Sequence, residues 1–256
     1  MGKIGRKAVA AALPDLKTQY QPDLVLANGE NLAHGKGLTE SVVDEILGAG
    51  VDLITGGNHS FAADGNAVLA DPRYRGRVIR PANYPPGTPG DGVAVLTTGA
   101  YRVLVVNLLC RVFMPPVADD PFRAIDAILE ERQGEKFTAV LVDLHGEASS
   151  ERNGFAWHVD GRVAAVYGTH THIQTSDERI LPHGTGFITD VGMTGARDSI
   201  LGEDVQTIVT SLRMGKPFKH EIPESGVAVV HALLLEIDPT TRATTRIERI
   251  RREVTI

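Results

Sequence analysis

Cysteine is almost absent: Cys110 stands alone among 256 residues, so neither an intrachain disulfide nor a thiolate zinc cage can form. That usage suits a reducing, cytoplasmic setting. Long apolar runs are absent too. The most apolar stretch, residues 227–235, is interrupted by His231, whereas a membrane span takes about 20 residues, so no membrane association is expected. Lys3, Arg6 and Lys7 precede an apolar segment at 8–13 that is too short for the core of a secretory signal. Arg6 also stands where N-myristoylation needs Ser or Thr. Positive charge is not in excess: 26 basic against 32 acidic residues leave a net charge of −6, which speaks against a binder of duplex nucleic acid. Small anionic ligands stay open, because a bound metal reverses the local charge. Repeats, low-complexity tracts and linkers are missing as well. Residues 1–256 therefore read as one domain, long enough to bury roughly three quarters of its unfolded surface.

What the sequence does have is alternation. Short apolar runs at 24–27, 53–55, 103–108, 139–144, 164–167 and 187–189 are interspersed with helical patterns at 7–19, 40–47, 121–132 and 204–213. This predicts an α/β protein whose strands are covered on both faces. Thr39 suits the N-cap of the second helix, and Gly48 and Gly50 suit its C-terminal stop. The segment 80–92, with Pro81, Pro85, Pro86 and Pro89, predicts a loop. Runs at 227–237 and 244–250, joined by Asp238-Pro239, predict an antiparallel pair and hence mixed sheets. The first helix leads into a strand with none before it, as if the opening strand of a β-α-β unit were missing.

Four polar clusters follow four of these strands: Asn28-Gly29-Glu30-Asn31, Asn58-His59, His145, and Gly168-Thr169-His170-Thr171-His172. Ligands of open α/β sheets sit beyond the carboxyl ends of the strands, so all four should meet at one site. Singly, each has a plain structural reading: Asn-Gly as a turn, His145 as a satisfied core histidine, and His170 with His172 as a chance pair on one face of an extended segment. Jointly they offer carboxylate, amide and imidazole donors suited to Mn, Fe or Zn. They are numerous enough for two metals about 3.5–4 Å apart, with Glu30 as the natural bridge. His34, His158, His183, His220 and His231 lack clustered partners. Gly35-Lys36-Gly37 is not continued into a phosphate loop, and Cys110 reads as a small buried hydrophobe.

Asn28-Gly-Glu-Asn31, Gly57-Asn-His59, Leu144-His-Gly-Glu-Ala148 and Gly168-Thr-His-Thr-His172 resemble the successive blocks of calcineurin-like metallophosphoesterases. Within them the chain is similar to the bacterial YmdB-like subfamily, which hydrolyses 2′,3′-cyclic nucleotides. Arg80-Pro-Ala-Asn83, Gly87-Thr-Pro-Gly90, Asp120-Pro-Phe122 and the segment from Thr189 to Gly195 match as well. The resemblance implies a four-layer sandwich of two mixed β-sheets flanked by helices, binding two divalent or mixed-valence transition metal ions, Fe or Mn ahead of Zn. It implies Glu30 as bridge, Asn31 and His172 on one metal, and Asn58, His145 and His170 on the other. A metal-bridging hydroxide would attack phosphorus while His59, the match to the catalytic histidine, assists the leaving group. Glu147, two residues after His145, is a candidate to steady a ligand from outside the donor set. Members of the family begin with an apolar strand ending in Gly-Asp, whose Asp is a further ligand. That block has no counterpart here, which puts the first metal in question.

The expected partner is therefore a small cyclic nucleotide, with a homo-oligomer compatible with the sequence. Two other readings remain at this stage. A His-x-His pair at a strand end also suits a metal-dependent amidohydrolase, and the absent Asp would suit a non-enzymatic regulatory protein with a degraded metal site.

Overall fold

Strands that are apolar at nearly every position need cover on both faces, and two of them show how it is supplied. In the computed structural model, which describes residues 1–115, 118–217 and 221–256, the chain runs α1 (Gly2–Tyr20), β1 (Leu26–Asn28), α2 (Glu40–Gly48), β2 (Leu53–Thr55), α3 (Gly65–Ala70), β3 (Val93–Thr98) and β4 (Tyr101–Leu109). It continues with α4 (Pro121–Glu131), β5 (Ala139–His145), α5 (Ser149–His158), β6 (Ala165–Thr169), β7 (Arg179–Ile180), β8 (Gly186–Ile188), β9 (Thr194–Ala196), α6 (Val205–Met214), β10 (Val227–Ile237) and β11 (Thr244–Thr255). Along β4 and β5 the side chains alternate. Leu104, Val106, Val142 and Leu144 join Ile125 of α4 and Phe155 of α5 in one core. Val103, Val105, Ala139 and Leu141 face the other way, toward Leu53 of β2, Leu26 of β1 and Leu235 of β10.

The architecture is thus four layers. A six-stranded mixed sheet, ordered β3-β4-β5-β6-β8-β7, carries parallel strands at its centre and antiparallel ones at both ends. The facing layer consists of the parallel pair β1-β2 and the antiparallel set β11-β10-β9. Helices α4 and α5 cover the first sheet. On the second, α1 packs through Ile4, Ala8, Ala12 and Leu16 onto Ala196, Ala228 and Ile250, while Val43 and Ile46 of α2 pack over Ile54.

The α/β reading, the mixed sheets and the C-terminal antiparallel pair are as expected. The first helix begins five residues earlier than its periodicity suggested, because Gly5 counts as a helix breaker. That residue is small for a reason: a side chain there would strike the backbone of Thr194 on β9. Thr39 does stand at the N-cap of α2, but its hydroxyl meets Ser41 Oγ and no backbone N–H. The α2 cap is Ala49 in a right-handed conformation, and only Gly50, at φ +103°, takes the left-handed turn. His220 lies outside the described residues.

Candidate metal centre

All four clusters reach one place because β1 and β2, in parallel register, and β5 and β6, likewise, end at the same edge of the two layers. Asn28 fastens the first two ends together, its Nδ2 donating to the Gly56 carbonyl at 2.8 Å. Immediately beyond, Glu30 is buried. Its Oε2 accepts from the His59 backbone N–H at 3.0 Å, and its Oε1 lies 3.2 Å from His145 Nε2.

His145 Nε2 is the point of convergence. Besides Glu30 it faces Asn58 Oδ1 at 2.8 Å and His170 Nδ1 at 3.1 Å. Glu30, His145 and His170 each present a ligand atom within 4.8 Å of the others. Asn31 Nδ2 stands 3.3 Å from Glu30 Oε1 and 3.1 Å from His172 Nε2, and His172 Nδ1 meets the Leu201 carbonyl at 2.8 Å. The six residues Glu30, Asn31, Asn58, His145, His170 and His172 therefore form one continuous chain of contacts. His59 stands at its rim, with Nε2 3.4 Å from Asn58 Nδ2. It lines a cleft of about 300 Å³ with Glu147, His170, Thr171 and His172.

Electrostatics follow the geometry. Burial would raise the Glu30 carboxyl, but attraction to His145 and hydrogen bonds from His145 and the His59 backbone outweigh it and bring its pKa to about 2. Burial works against the charged form of His145 as well, yet Glu30 overrides it and the imidazole is raised. Burial lowers His59 and His170. Glu30 is thus an anion across the physiological range, set among imidazoles.

Two groups of residues escaped the sequence reading. His145 Nδ1 contacts Thr169 Oγ1 at 2.9 Å, and that hydroxyl donates to Asp143 Oδ1 at 2.7 Å. Asp143 is fully buried and also accepts from Thr55 Oγ1 and, at 3.2 Å, from Asn28 Nδ2. Its signal was present, as an acidic residue inside an apolar strand. The second group is the buried ion pair of Arg152 with Asp190, at 2.7 Å. Asp190 Oδ2 accepts the Thr171 N–H at 2.9 Å, and Arg152 Nη1 donates to the Thr169 carbonyl at 3.3 Å. Together they hold the loop in which His170 and His172 adopt positive φ, +115° and +67°, a conformation that costs a non-glycine residue free energy and has to be imposed by its surroundings.

Glu147 contacts His170, Oε2 to Nε2 at 3.1 Å, while Thr169 occupies the far side of the His145 ring. Cys110 is buried, and burial pushes its thiol up, as fits a packing role. His158 Nε2 lies 2.9 Å from Asp126 Oδ1 and His183 Nδ1 3.0 Å from Asp160 Oδ2, both away from the cluster.

Two layered sheets with Glu, Asn and His donors at their strand ends define a calcineurin-like metallophosphoesterase fold. The chain belongs to the YmdB-like protein family, whose sequence profile matches residues 1–250. It is 42% identical over 250 residues to the 2′,3′-cyclic-nucleotide 2′-phosphodiesterase of Bacillus subtilis strain 168, covering 98% of this chain and 93% of that protein. It is 33% identical to a putative phosphatase/phosphodiesterase of Mycoplasma pneumoniae, over 98% of this chain and 89% of the relative. Among solved structures, a hypothetical protein from Thermus thermophilus superposes with a TM-score of 0.90 at 43% identity, over 99% of this chain and 96% of the other. A putative 5′-nucleotidase from Staphylococcus aureus, at 14% identity and a TM-score of 0.57, covers 94% of this chain and 48% of its own and shares the fold. Among the described residues no helix is long and apolar enough to cross a membrane.

Proposed function

We propose that residues 1–256 act as one metal-dependent phosphodiesterase domain that hydrolyses 2′,3′-cyclic nucleotides at a dinuclear centre. The observation that carries the reading is the meeting of Glu30, Asn58 and His170 around His145 Nε2. A metal suits these residues. Asn31 Oδ1 is buried without a hydrogen-bond partner, Glu30 is held ionised, and nitrogen and oxygen donors without thiolate favour Mn or Fe, with Zn as the alternative. Glu30, Asn31 and His172 would hold one ion, and Glu30, Asn58, His145 and His170 the other. When bound, such a pair of ions activates water near neutral pH and offsets phosphoryl charge.

The chain's own groups do the remainder. His59, at the rim of the cluster, is the imidazole placed to assist the ribose oxygen that departs. Burial of Glu30 and His145 keeps bulk water from competing at the donors, and the cleft beside His59 and Thr171 admits a small phosphodiester. The printed activity of the Bacillus subtilis relative supports this substrate class. Neither the amidohydrolase nor the degraded regulatory reading has an observation in its favour, since the named relatives are phosphodiesterases and phosphatases.

Two variants separate chemistry from ligation. With 2′,3′-cyclic AMP as substrate, His59→Ala should lower turnover by about 10²–10⁴-fold, the range for a lost general acid, with metal content unchanged by elemental analysis. His145→Ala should lose the metal. Loss of metal from His59→Ala as well would make His59 a ligand and overturn its assigned role.

A further inference from the structure

Gly35-Lys36-Gly37, which builds no nucleotide phosphate loop, stands at the lip of the metal centre. Gly35 lines the cleft together with His59 and His172. Two hydrogen bonds wedge the segment between the donors that follow β1 and the turn that carries His59. Gly37 N–H donates to the Glu30 carbonyl at 2.5 Å, and Asp64 N–H to the Leu38 carbonyl at 2.9 Å. A side chain at position 37 would strike the carbonyl of Ala62, whose own N–H donates to the His59 carbonyl at 2.9 Å. His34, Gly35 and Gly37 all take positive φ, +50°, +85° and +87°. At His34 that conformation costs free energy and is imposed by its surroundings.

What this turn presents is a cation. Lys36 is exposed, and among the described residues its ammonium makes neither an ion pair nor a hydrogen bond. The backbone N–H groups of His34 and Gly35 likewise have no acceptor among the described residues. Burial lowers the His59 imidazole, Glu30 opposes that, and the charge of Lys36 adds to the lowering, which marks the ammonium as a neighbour of the ring. The cleft wall itself carries three carboxylates, Glu30, Glu147 and Glu203, and among the described residues neither lysine nor arginine. Lys36 is therefore placed to meet an anionic group that stands outside the donor cluster.

In the phosphodiesterase reading, on which this inference rests, the cyclic phosphate occupies the donor cluster and the ribose oxygen departs at His59. The sugar then lies on the His59 side of the cluster, which is also the side of Lys36. A nucleoside is uncharged and offers an ammonium little, whereas a phosphoryl group on the 5′ oxygen supplies the matching charge. We propose that Lys36, with the free N–H groups of His34 and Gly35, binds a 5′-phosphoryl group. The preferred substrates are then 2′,3′-cyclic nucleotides phosphorylated at the 5′ position, as mononucleotides or as the 3′ end of a short RNA chain.

The test uses the Mn(II)-loaded chain and three substrates: 2′,3′-cyclic AMP, its 5′-phosphorylated form, and the dinucleotide ApA ending in a 2′,3′-cyclic phosphate. The parent should favour 5′-phosphorylated substrate over 2′,3′-cyclic AMP in kcat/KM by about tenfold, the order of one charge-assisted hydrogen bond, chiefly through KM. A preference shared by the dinucleotide shows that a diester suffices, and one confined to the mononucleotide shows that the dianionic monoester is required. Lys36→Gln should abolish the preference, and Lys36→Arg, which keeps the charge, should retain it. Calorimetry reads binding apart from turnover. Adenosine 3′,5′-bisphosphate should bind the parent about tenfold more tightly than 3′-AMP, and Lys36→Gln should equalise the two. A parent inert toward all three substrates would refute the phosphodiesterase reading, while the binding ratio would still decide the role of Lys36. The absence of any preference in the parent, a preference that survives Lys36→Gln, or a loss shared equally by 2′,3′-cyclic AMP would overturn the proposal.

Discussion

His145 can turn Nε2 toward three donor atoms only because its other nitrogen is engaged. The relay from Nδ1 through Thr169 Oγ1 to Asp143 fixes the tautomer and the ring plane, the kind of support that typically contributes 10–100-fold to metal affinity. Thr169→Val keeps the volume and removes the hydroxyl. Metal affinity, measured by competition with a chromogenic chelator, should fall by about that factor, and Thr169→Ser should restore it. A merely space-filling role for Thr169 predicts the reverse order. Gly57 makes a second case at this scale. A methyl there would fall on Glu30 Oε2 and His145 Nε2, inside the donor cage, so the site requires a residue without Cβ. Gly57→Ala should weaken metal binding at least tenfold, about 1.4 kcal/mol, while leaving the far-ultraviolet circular dichroism unchanged.

At the level of elements, the loop bearing His170 and His172 depends on a residue from another part of the chain. Arg152 lies in α5, a segment with two serines, an asparagine and a glycine that carries no strong helical pattern and was not expected to be a helix. Tertiary contacts make it one: Phe155 and Ala156 enter the core, and Arg152 is drawn to Asp190. Arg152→Met should therefore cost about 3–5 kcal/mol, the usual penalty for stranding one buried charge. In urea denaturation this would show as a lowered midpoint with an unchanged slope. The same example marks what could be read in advance. The strands 53–55 and 227–237 have the expected bounds because their apolar runs are self-evident, and the four donor clusters were legible because they stand at strand ends. Hairpin strand β3, next to the proline-rich loop, and helix α5 were not, since pairing with β4 and burial against β5 and α4 decide them, and neither partner leaves a local mark. Asp143 was marked only as an acid inside an apolar strand and Arg152 not at all, because their roles lie in contacts 26 and 38 residues distant along the chain.

The molecule as a whole places its donors on both layers. Glu30, Asn31 and Asn58 follow β1 and β2 of the facing layer, whereas His145, His170 and His172 belong to the ends of β5 and β6 in the six-stranded sheet. An ion held among them is therefore a tie between layers that otherwise meet through apolar contacts and the hydrogen bonds of Thr55 and Asn28 to Asp143. Unfolding separates the donors, so binding to the folded state alone adds stability as RT ln(1 + [M]/Kd), about 2.7 kcal/mol at a metal concentration of 100 times Kd. For a chain of this size each kcal/mol raises the melting temperature by roughly 2–4 °C. Titration of the metal-free protein with Mn(II) should accordingly raise the melting point by about 5–10 °C, saturating with the stoichiometry of the site. His145→Ala, which removes a donor from the six-stranded sheet, should flatten the response, and His59→Ala, which touches the rim, should preserve it. A Mn(II) shift of equal size in His145→Ala would place the stabilising ion away from the cluster and break the link between the layered architecture and its metal centre.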